Sequence, residues 1–471
     1  MSTIKKRSDI GKDTIIGKQK PKIRPKSKAI LFFIIIAIVS GGIGAAIAFV
    51  MSSKPFQQSP VNSAELNGFD SDIATATLGL PELTRPVNVL IMGTIVLTSD
   101  LANADSVPKE GYLAQTNSSL DGQSDAMILL RLDPIAKKVT ALSIPRDSRV
   151  EIPGYGVQKI NAANYVGGAL LSAKTVSNLV GNIQIDRYMR VNVEGFGQLI
   201  DALGGVDIYV PKRMKYQDDS QHLYINLNQG QQVLDGSKAI QYMRFRHDEL
   251  GDIGRVQRQQ TFFRALISQK LRIDTVPRIP DILAVIKQNL DTNMSVQELL
   301  ALAAFVSKID RKDTKMLLLP GRFSTPNEFP LSYWIVDDRR LIYLMKEHFN
   351  VVYAYSEVNK EKEEDFTPAN LRVVVQDTTY FPDRVKVATK ALIKAGYTQT
   401  FADDIPRTVI LEKTQIIAQS GDRTSAEKVR NALGVGEVVL ESTGDLDSDV
   451  TIKLGKDWID VSKQLIQKSK P

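Results

Sequence analysis

The chain is predicted to fold as an α/β protein of mixed (α+β) character, and three features of its sequence say so. Short continuous apolar runs of strand length recur, among them Val87–Met92, Ala126–Leu132 and Val139–Ile144. Helical patterns, such as Ala169–Leu179 and Phe196–Leu203, alternate with them. Runs this apolar suit strands buried on both faces, so helices must cover a central sheet.

Taken in order, residues 1–28 hold ten Lys/Arg against only Asp9 and Asp13, a local charge of +8 within a chain of +7. The basicity therefore belongs to a tail and not to the folded part. Ala29–Met51 follows, 23 residues without a charge. As a helix it spans ~35 Å, enough for a hydrocarbon core of ~30 Å. A cleaved signal peptide has a shorter apolar region and a small-residue exit. The segment reads as a single N-terminal transmembrane helix, an uncleaved signal-anchor. The cationic tail stays in the cytoplasm, and everything after residue 51 lies outside the plasma membrane. The absence of cysteine suits an oxidising exterior.

Residues 52–85, rich in Ser, Pro and Asn, read as a spacer. A large domain is expected over residues 86–355. Its first strand ends at Gly93, and Asp133-Pro134 with Lys137-Lys138 turns the next two against each other. Ser295 and Glu298 form a capping box ahead of the apolar run Leu299–Val306. Residues 356–370 are charged and read as a linker. A small C-terminal α/β domain is expected over residues 371–460. It would hold strand Leu371–Val375, helix Pro382–Ala395, strand Thr408–Leu411, helix Ser425–Leu433, and strands Val438–Leu440 and Val450–Leu454.

Several chemistries are improbable. The three histidines, His222, His247 and His348, are far apart, and no HExxH, Walker loop or GxGxxG occurs. A His metal site or a Ser-His-Asp hydrolase does not fit. What stands out is arginine in three places. Pro145 ends the strand Val139–Ile144, so Arg146 emerges at a strand terminus, with Asp147 able to hold its guanidinium; a structural Arg–Asp pair at a sheet edge is the alternative. Tyr242-Met-Arg-Phe-Arg246, taken as a strand, puts Arg244 and Arg246 on one face, where they repel unless an anion sits between them; a solvated strand face is the alternative. In the helix beginning at Asp252 or Gly254, Arg255, Arg258 and Gln259 share a face in the first turn, a natural anion receptor; a solvated polar stripe is the alternative.

Together with Asp125, these clusters suit a pyrophosphate bridged by a divalent cation, and Mg²⁺ takes few carboxylates beside phosphate oxygens and water. A membrane-tethered exterior protein has no ATP supply. The pyrophosphates available there are lipid-linked glycans.

The ordered run Asn88-Val-Leu-Ile-Met-Gly93, Ser124-Asp125, Ser143-Ile-Pro-Arg-Asp147, Lys159-Ile-Asn-Ala162, Gly167-Gly168, Ile200–Val206, Leu234-Asp-Gly236, Tyr242–Arg246 and Gly254–Gln259 resembles the LytR-CpsA-Psr family over about residues 86–275. Residues 371–458 resemble the C-terminal domain that often accompanies it, with Gln376-Asp-Thr-Thr where an Asn-Gly motif is usual. The resemblance implies Mg²⁺-dependent transfer of a glycopolymer from a polyprenyl pyrophosphate carrier to peptidoglycan or another envelope acceptor. It places Arg146, Arg244, Arg246, Arg255 and Gln259 on the pyrophosphate as catalytic residues, and Asp125 on the metal. Arg258 and Asp147 are expected to support substrate binding. Two positions depart from the family: Ile95 stands where a second acid is usual, and Gln123 where an arginine is usual. The loop Val96–Gly122 offers Asp100, Asp105 and Asp121: either it replaces the missing acid, or metal binding is weakened and activity altered.

A non-catalytic protein that holds lipid-linked or anionic glycans is the competing expectation, favoured by Ile95 and Gln123. A nucleic-acid partner is not expected, because residues 29–471 carry a net charge of −1 and lie outside the cell. The C-terminal domain, lacking the arginine constellation, is expected to be dispensable for donor chemistry.

Overall fold

The structure, a computed structural model, describes residues 74–75, 81–94, 119–219, 223–246, 251–270, 275, 279–310, 313–351, 367–379, 381–403, 410–419, 421–445 and 448–468. The basic tail, Ala29–Met51, Ile95, Asp100, Asp105 and most of the expected linker lie outside them. Among the described residues no helix is long and apolar enough to cross a membrane.

Strands β1 (Ala74–Thr75) and β2 (Glu82–Leu83) pair antiparallel, so the expected spacer carries ordered backbone where Lys308 reaches Glu82 at 3.3 Å. Then come β3 (Val87–Thr94), β4 (Ser124–Asp133) and β5 (Lys138–Ile144), the three runs read from the sequence. The turn between β4 and β5 closes when Asp133 Oδ1 accepts from the amides of Ile135 and Ala136. A hairpin, β6 (Arg149–Ile152) and β7 (Gly156–Lys159), leads into helix α1 (Ala162–Leu179). That helix starts seven residues before the expected Ala169 and breaks at Gly167-Gly168. Gly168 has φ +61°, a left-handed conformation that favours glycine.

The chain continues through β8 (Arg187–Asn192), α2 (Val193–Ala202), β9 (Val206–Val210), β10 (Met214–Asp218), β11 (Leu223–Leu227), β12 (Gly230–Leu234), α3 (Gly236–Arg244) and α4 (Gly251–Lys270). It follows with α5 (Ile279–Ile286), β13 (Leu290–Thr292), α6 (Val296–Ser307), β14 (Thr314–Leu318), β15 (Gly321–Phe323), β16 (Trp334–Val336) and α7 (Asp338–Phe349). The capping box at α6 is present as read: Ser295 Oγ accepts from the Glu298 amide and Glu298 bonds back to the Ser295 amide.

The central sheet has the order β13-β8-β3-β4-β5-β14 and mixed directions. β4 runs antiparallel to both neighbours, whereas β8 and β14 pair parallel to β3 and β5. Its core includes Leu90, Met92, Leu129 and Leu142 from the strands and Val176 from α1, all fully buried. A second core forms where the β9–β12 and β10–β11 hairpins meet α2, α3 and α4 around Phe262. Buried ion pairs pin the sheet's far side: Arg187 to Glu298 at 2.6 Å, and Arg190 to Asp291 at 2.6 Å.

One expectation is overturned here. Tyr242–Arg246 is not a strand: residues 236–244 form α3. Asp235 caps it by accepting from the Lys238 amide, and Ala239, Tyr242 and Met243 are buried at helical spacing. The local alternation of Tyr, Arg and Arg lost to a helix that buries one apolar face. Arg244 closes the helix and Arg246 lies beyond its Phe245 cap, so they do not share a strand face.

The C-terminal domain comprises β17 (Val373–Asp377), α8 (Pro382–Lys394), β18 (Thr400–Asp403), β19 (Gln415–Ala418), α9 (Arg423–Leu433), β20 (Glu437–Val439), β21 (Val450–Leu454) and α10 (Asp457–Lys468). Its sheet order is β18-β17-β21-β19-β20. Of the strand expected at Thr408–Leu411, Thr408 and Val409 lie outside the described residues and Ile410 and Leu411 are in no strand; a strand stands at Gln415–Ala418, where Ile416 and Ile417 are fully buried, whereas Ile410 is 46% exposed. β18 and α10 were not foreseen. α10 brings the fully buried Trp458 into this core.

The two domains touch. Ser442 donates its amide to the Met316 carbonyl at 3.1 Å, and its Oγ accepts from the Leu318 amide at 2.8 Å. These bonds stitch the segment after β20 to the outer edge of β14. His348 of α7 lies 3.0 Å from the Gly421 carbonyl, and Tyr343 donates to Asp422 at 3.2 Å.

Candidate functional site

The register of β4 against β5 builds the site. Met127 pairs with Ile144, and carrying that antiparallel register two residues outward sets Asp125 opposite Arg146. The two side chains form an ion pair. Pro145 cannot donate to the ladder, and the chain turns there: Ser148 donates both its amide, at 3.0 Å, and its Oγ, at 2.7 Å, to the Pro145 carbonyl. Asp147, next in line, is held from three directions. Lys159 Nζ lies 2.7 Å from its Oδ1, Arg146 Nε lies 3.7 Å from its Oδ2, and its carbonyl accepts from the Trp334 amide at 2.9 Å.

Helix α4 supplies the opposite wall. Arg255, Gln259 and Phe263, four residues apart, fall along one face. All three line a cleft with Asp125, Arg146 and Asp147. The remaining wall is apolar, with Met127, Ile144, Val256, Leu318 and Phe323 among its residues. Phe323 is set edge-on to the buried Trp334, centroids 5.0 Å apart. The cleft thus has a charged end, where Arg146 and Arg255 stand with Asp125 and Asp147, beside an apolar flank, which suits a ligand that is charged at one point and hydrocarbon beyond it.

Of the residues singled out from sequence, Asp125, Arg146, Asp147, Arg255 and Gln259 come together here. Arg244 and Arg246 are not in this lining. Arg258 is also outside it. Its guanidinium donates to the Phe245 carbonyl and lies 5.2 Å from the Phe245 ring centroid, and the residue is 7% exposed. It fastens the end of α3 to α4. α4 begins at Gly251, which puts Arg255 and Gln259 in its second and third turns, past the helix terminus. Gln123 is exposed and accepts from Asn161 at 3.1 Å. Asp121 is drawn to Arg190, 3.6 Å away.

Sequence reasoning left Lys159, Phe263 and Phe323 unassigned. Phe263 had a signal, being four and eight residues beyond Gln259 and Arg255. Phe323 had none, because only the closing of β15 against β16 brings it to the cleft.

Residues 52–349 match the LytR_cpsA_psr family. Residues 370–458 match the domain described as LytR cell envelope-related transcriptional attenuator. The chain is 30% identical over 325 residues to the polyisoprenyl-teichoic acid–peptidoglycan teichoic acid transferase TagU of Oceanobacillus iheyensis, covering 66% of this chain and 89% of that one. It is 35% identical over 207 residues to the polyisoprenyl-teichoic acid–peptidoglycan teichoic acid transferase TagV of Bacillus subtilis, 42% of this chain and 52% of that one. The crystal structure of TagV covers 57% of this chain and 99% of its own, at 28% identity and a TM-score of 0.46. Regulatory protein MsrR of Staphylococcus aureus is 34% identical over 203 residues, 42% of this chain and 60% of that one.

Proposed function

Because this chain belongs to the LytR-CpsA-Psr family, we propose that it transfers a glycopolymer from a polyprenyl pyrophosphate carrier to peptidoglycan. The observation that carries this is the cleft itself, where Arg146, Arg255 and Gln259 meet Asp125 beside an apolar wall. The relatives named as teichoic acid transferases make an anionic, polyisoprenyl-linked glycopolymer the donor class. An acceptor hydroxyl oxygen bonds to the glycan-side phosphorus, and the bond from that phosphorus to the polyprenyl phosphate breaks. Such a transfer needs positioning and charge neutralisation more than covalent help from the protein. Arg146 and Arg255 neutralise the pyrophosphate, Gln259 donates to it, and the apolar wall takes the first isoprene units.

Mg²⁺ belongs to the same proposal. Among the described residues no group of three or more His, Cys, Asp or Glu stands ready to hold a metal. Mg²⁺ accepts one or two carboxylates and fills its shell with phosphate oxygens and water. Asp125 beside Arg146 and Arg255 suits a Mg²⁺–pyrophosphate unit. When bound, the cation would offset charge on the phosphate oxygens.

The location follows from the sequence. Ala29–Met51 anchors the chain once in the plasma membrane, with the tail inside and both domains outside. A reporter fused after residue 60 is expected to be active only outside the cytoplasm; activity inside would overturn both the location and the choice of donor.

The deciding experiment is turnover of a short-chain polyprenyl pyrophosphate-linked glycan by the purified exterior part, with and without Mg²⁺. Product release dependent on Mg²⁺ is expected. Tight donor binding without any turnover would instead give the non-catalytic glycan-binding protein.

A further inference from the structure

Helix α4 has two working faces. At about 100° per residue, Gln257 and Arg264 lie roughly opposite Arg255. Arg255, Gln259 and Phe263 face the cleft, while Gln257 and Arg264 meet the C-terminal domain. Gln257 donates to the Gly444 carbonyl, and Arg264 pairs with Glu441 at 2.8 Å. That pair is only partly exposed, 21% at Arg264 and 15% at Glu441, so solvent screens it less than a surface pair.

The same short segment also holds the other wall. Ser442, next to Glu441, is bonded to Met316 and Leu318 of β14, and Leu318 lines the cleft. The segment is itself rigid. Gly444 donates to Gln419 Oε1 at 2.9 Å, Lys453 bonds the Thr443 carbonyl at 2.9 Å, and a Cβ at Gly444 would come within 2.1 Å of Thr451 Oγ1.

We propose that Glu441–Gly444 of the C-terminal domain is a positioning element for the donor site: by gripping β14 and the back of α4 together, it sets the gap across which Arg255 and Gln259 face Arg146. Glu441 and Arg264 are its positioning residues. The C-terminal domain then governs donor affinity from within the chain without contributing a side chain to the cleft lining, against the expectation from sequence that it is dispensable for donor chemistry. This rests on the function proposed above, because it names what regulates that site.

The test uses the full chain with Arg264→Glu, with Glu441→Arg, and with both together. Amide exchange across α4 and the KM and kcat for a short-chain polyprenyl pyrophosphate-linked glycan are measured on each. Each single variant is expected to speed exchange in α4 and raise KM about two- to fivefold, the range of an ion pair worth up to about 1 kcal/mol, while kcat holds. The double variant is expected to restore both. Single variants that melt earlier yet keep wild-type KM and α4 exchange overturn the inference, as does a double variant no better than the singles. If the wild-type chain neither binds nor turns over the donor, the proposed function fails instead, and the exchange data alone still report whether the segment holds α4.

Discussion

Asp125 and Arg146 form an ion pair where β4 begins and β5 ends, and both side chains are largely shielded, 16% and 22% exposed. The pair arises from the antiparallel register and not from sequence proximity. It keeps Arg146 extended toward the cleft while no anion is bound. A pyrophosphate entering with Mg²⁺ would take over both partners at once, the phosphates binding Arg146 and the cation binding Asp125. Under the proposed function, the guanidinium would be preorganised for its ligand by a carboxylate that the same ligand complex would use.

Replacing Arg146 by Ala is expected to lower kcat/KM for the donor by roughly 10- to 150-fold, the equivalent of ~1.5–3 kcal/mol for a charged hydrogen bond. Arg146→Lys should recover little of it, because an ammonium does not reproduce the planar fork that grips phosphate. Steady-state kinetics on the two variants decide this. Full recovery with Lys would mean that charge alone matters at this position.

Arg255 and Arg258, three residues apart on α4, should separate cleanly. Arg255→Ala is expected to reduce donor turnover by about tenfold or more and to cost less stability than Arg258→Ala. Arg258→Ala removes a charge-assisted bond to the Phe245 carbonyl and a stacked guanidinium. A stability loss of ~2–3 kcal/mol follows, seen as a lower Tm. Thermal melts beside activity assays test the pair, and the reverse pattern would return Arg258 to the substrate.

The parts of this architecture legible in the sequence are those where local pattern and packing agree. β3, β4 and β5 were visible because their apolar runs fill both faces of a covered sheet, and Ser295 with Glu298 marked the start of α6 because a capping box is local chemistry. Tyr242–Arg246 misled because two arginines flanking a phenylalanine mimic strand alternation. Asp235 and the spacing of Ala239, Tyr242 and Met243 carried the better signal. In the site, Asp125, Arg146 and Arg255 stood out as charges at element ends. The apolar wall from Leu318 and Phe323 did not: Leu318 reaches it only through pairing with Ser143, far back in the chain, and Phe323 only through the closing of β15 on β16. The charged stretch before residue 371 suggested an independent second domain. Ser442 joining the edge of β14 is a long-range contact that no local pattern announces.

The loop before β4 was expected to offer a replacement for the acid missing at Ile95. Asp121 is not in the cleft lining, and its carboxylate turns to Arg190, which Asp291 already holds at 2.6 Å. Asp121→Asn is accordingly expected to leave the Mg²⁺ dependence of turnover unchanged, whereas Asp125→Asn should raise the Mg²⁺ concentration needed for half-maximal rate. Titration of Mg²⁺ against rate for both variants checks the assignment. A shift with Asp121→Asn would move the metal toward that loop.

Acid should loosen the joint between the domains, and His348 explains how. Its Nδ1 lies 3.0 Å from Lys315 Nζ and its Nε2 lies 3.0 Å from the Gly421 carbonyl. The ring must therefore accept at Nδ1 from an ammonium and donate at Nε2, which only the neutral tautomer does. Burial, then the Lys315 charge, pushes its pKa from 6.5 down to about 4; Lys138 and Arg423 press the same way, and the Gly421 carbonyl opposes them. The sign follows from proton uptake. Between the two pKa values the unfolded or undocked chain binds a proton that the docked chain refuses, so stability is full above pH 6.5 and declines as pH falls toward 4. At ~1.4 kcal/mol per pKa unit, the whole shift amounts to about 3 kcal/mol. Tm of the full chain should fall over this window beyond the drop shared with other titrating groups. His348→Gln keeps an amide at the joint but does not titrate, so it should lower Tm at pH 7.5 and flatten the slope between pH 6.5 and 4. An unchanged slope in that variant would show that the acid sensitivity arises elsewhere.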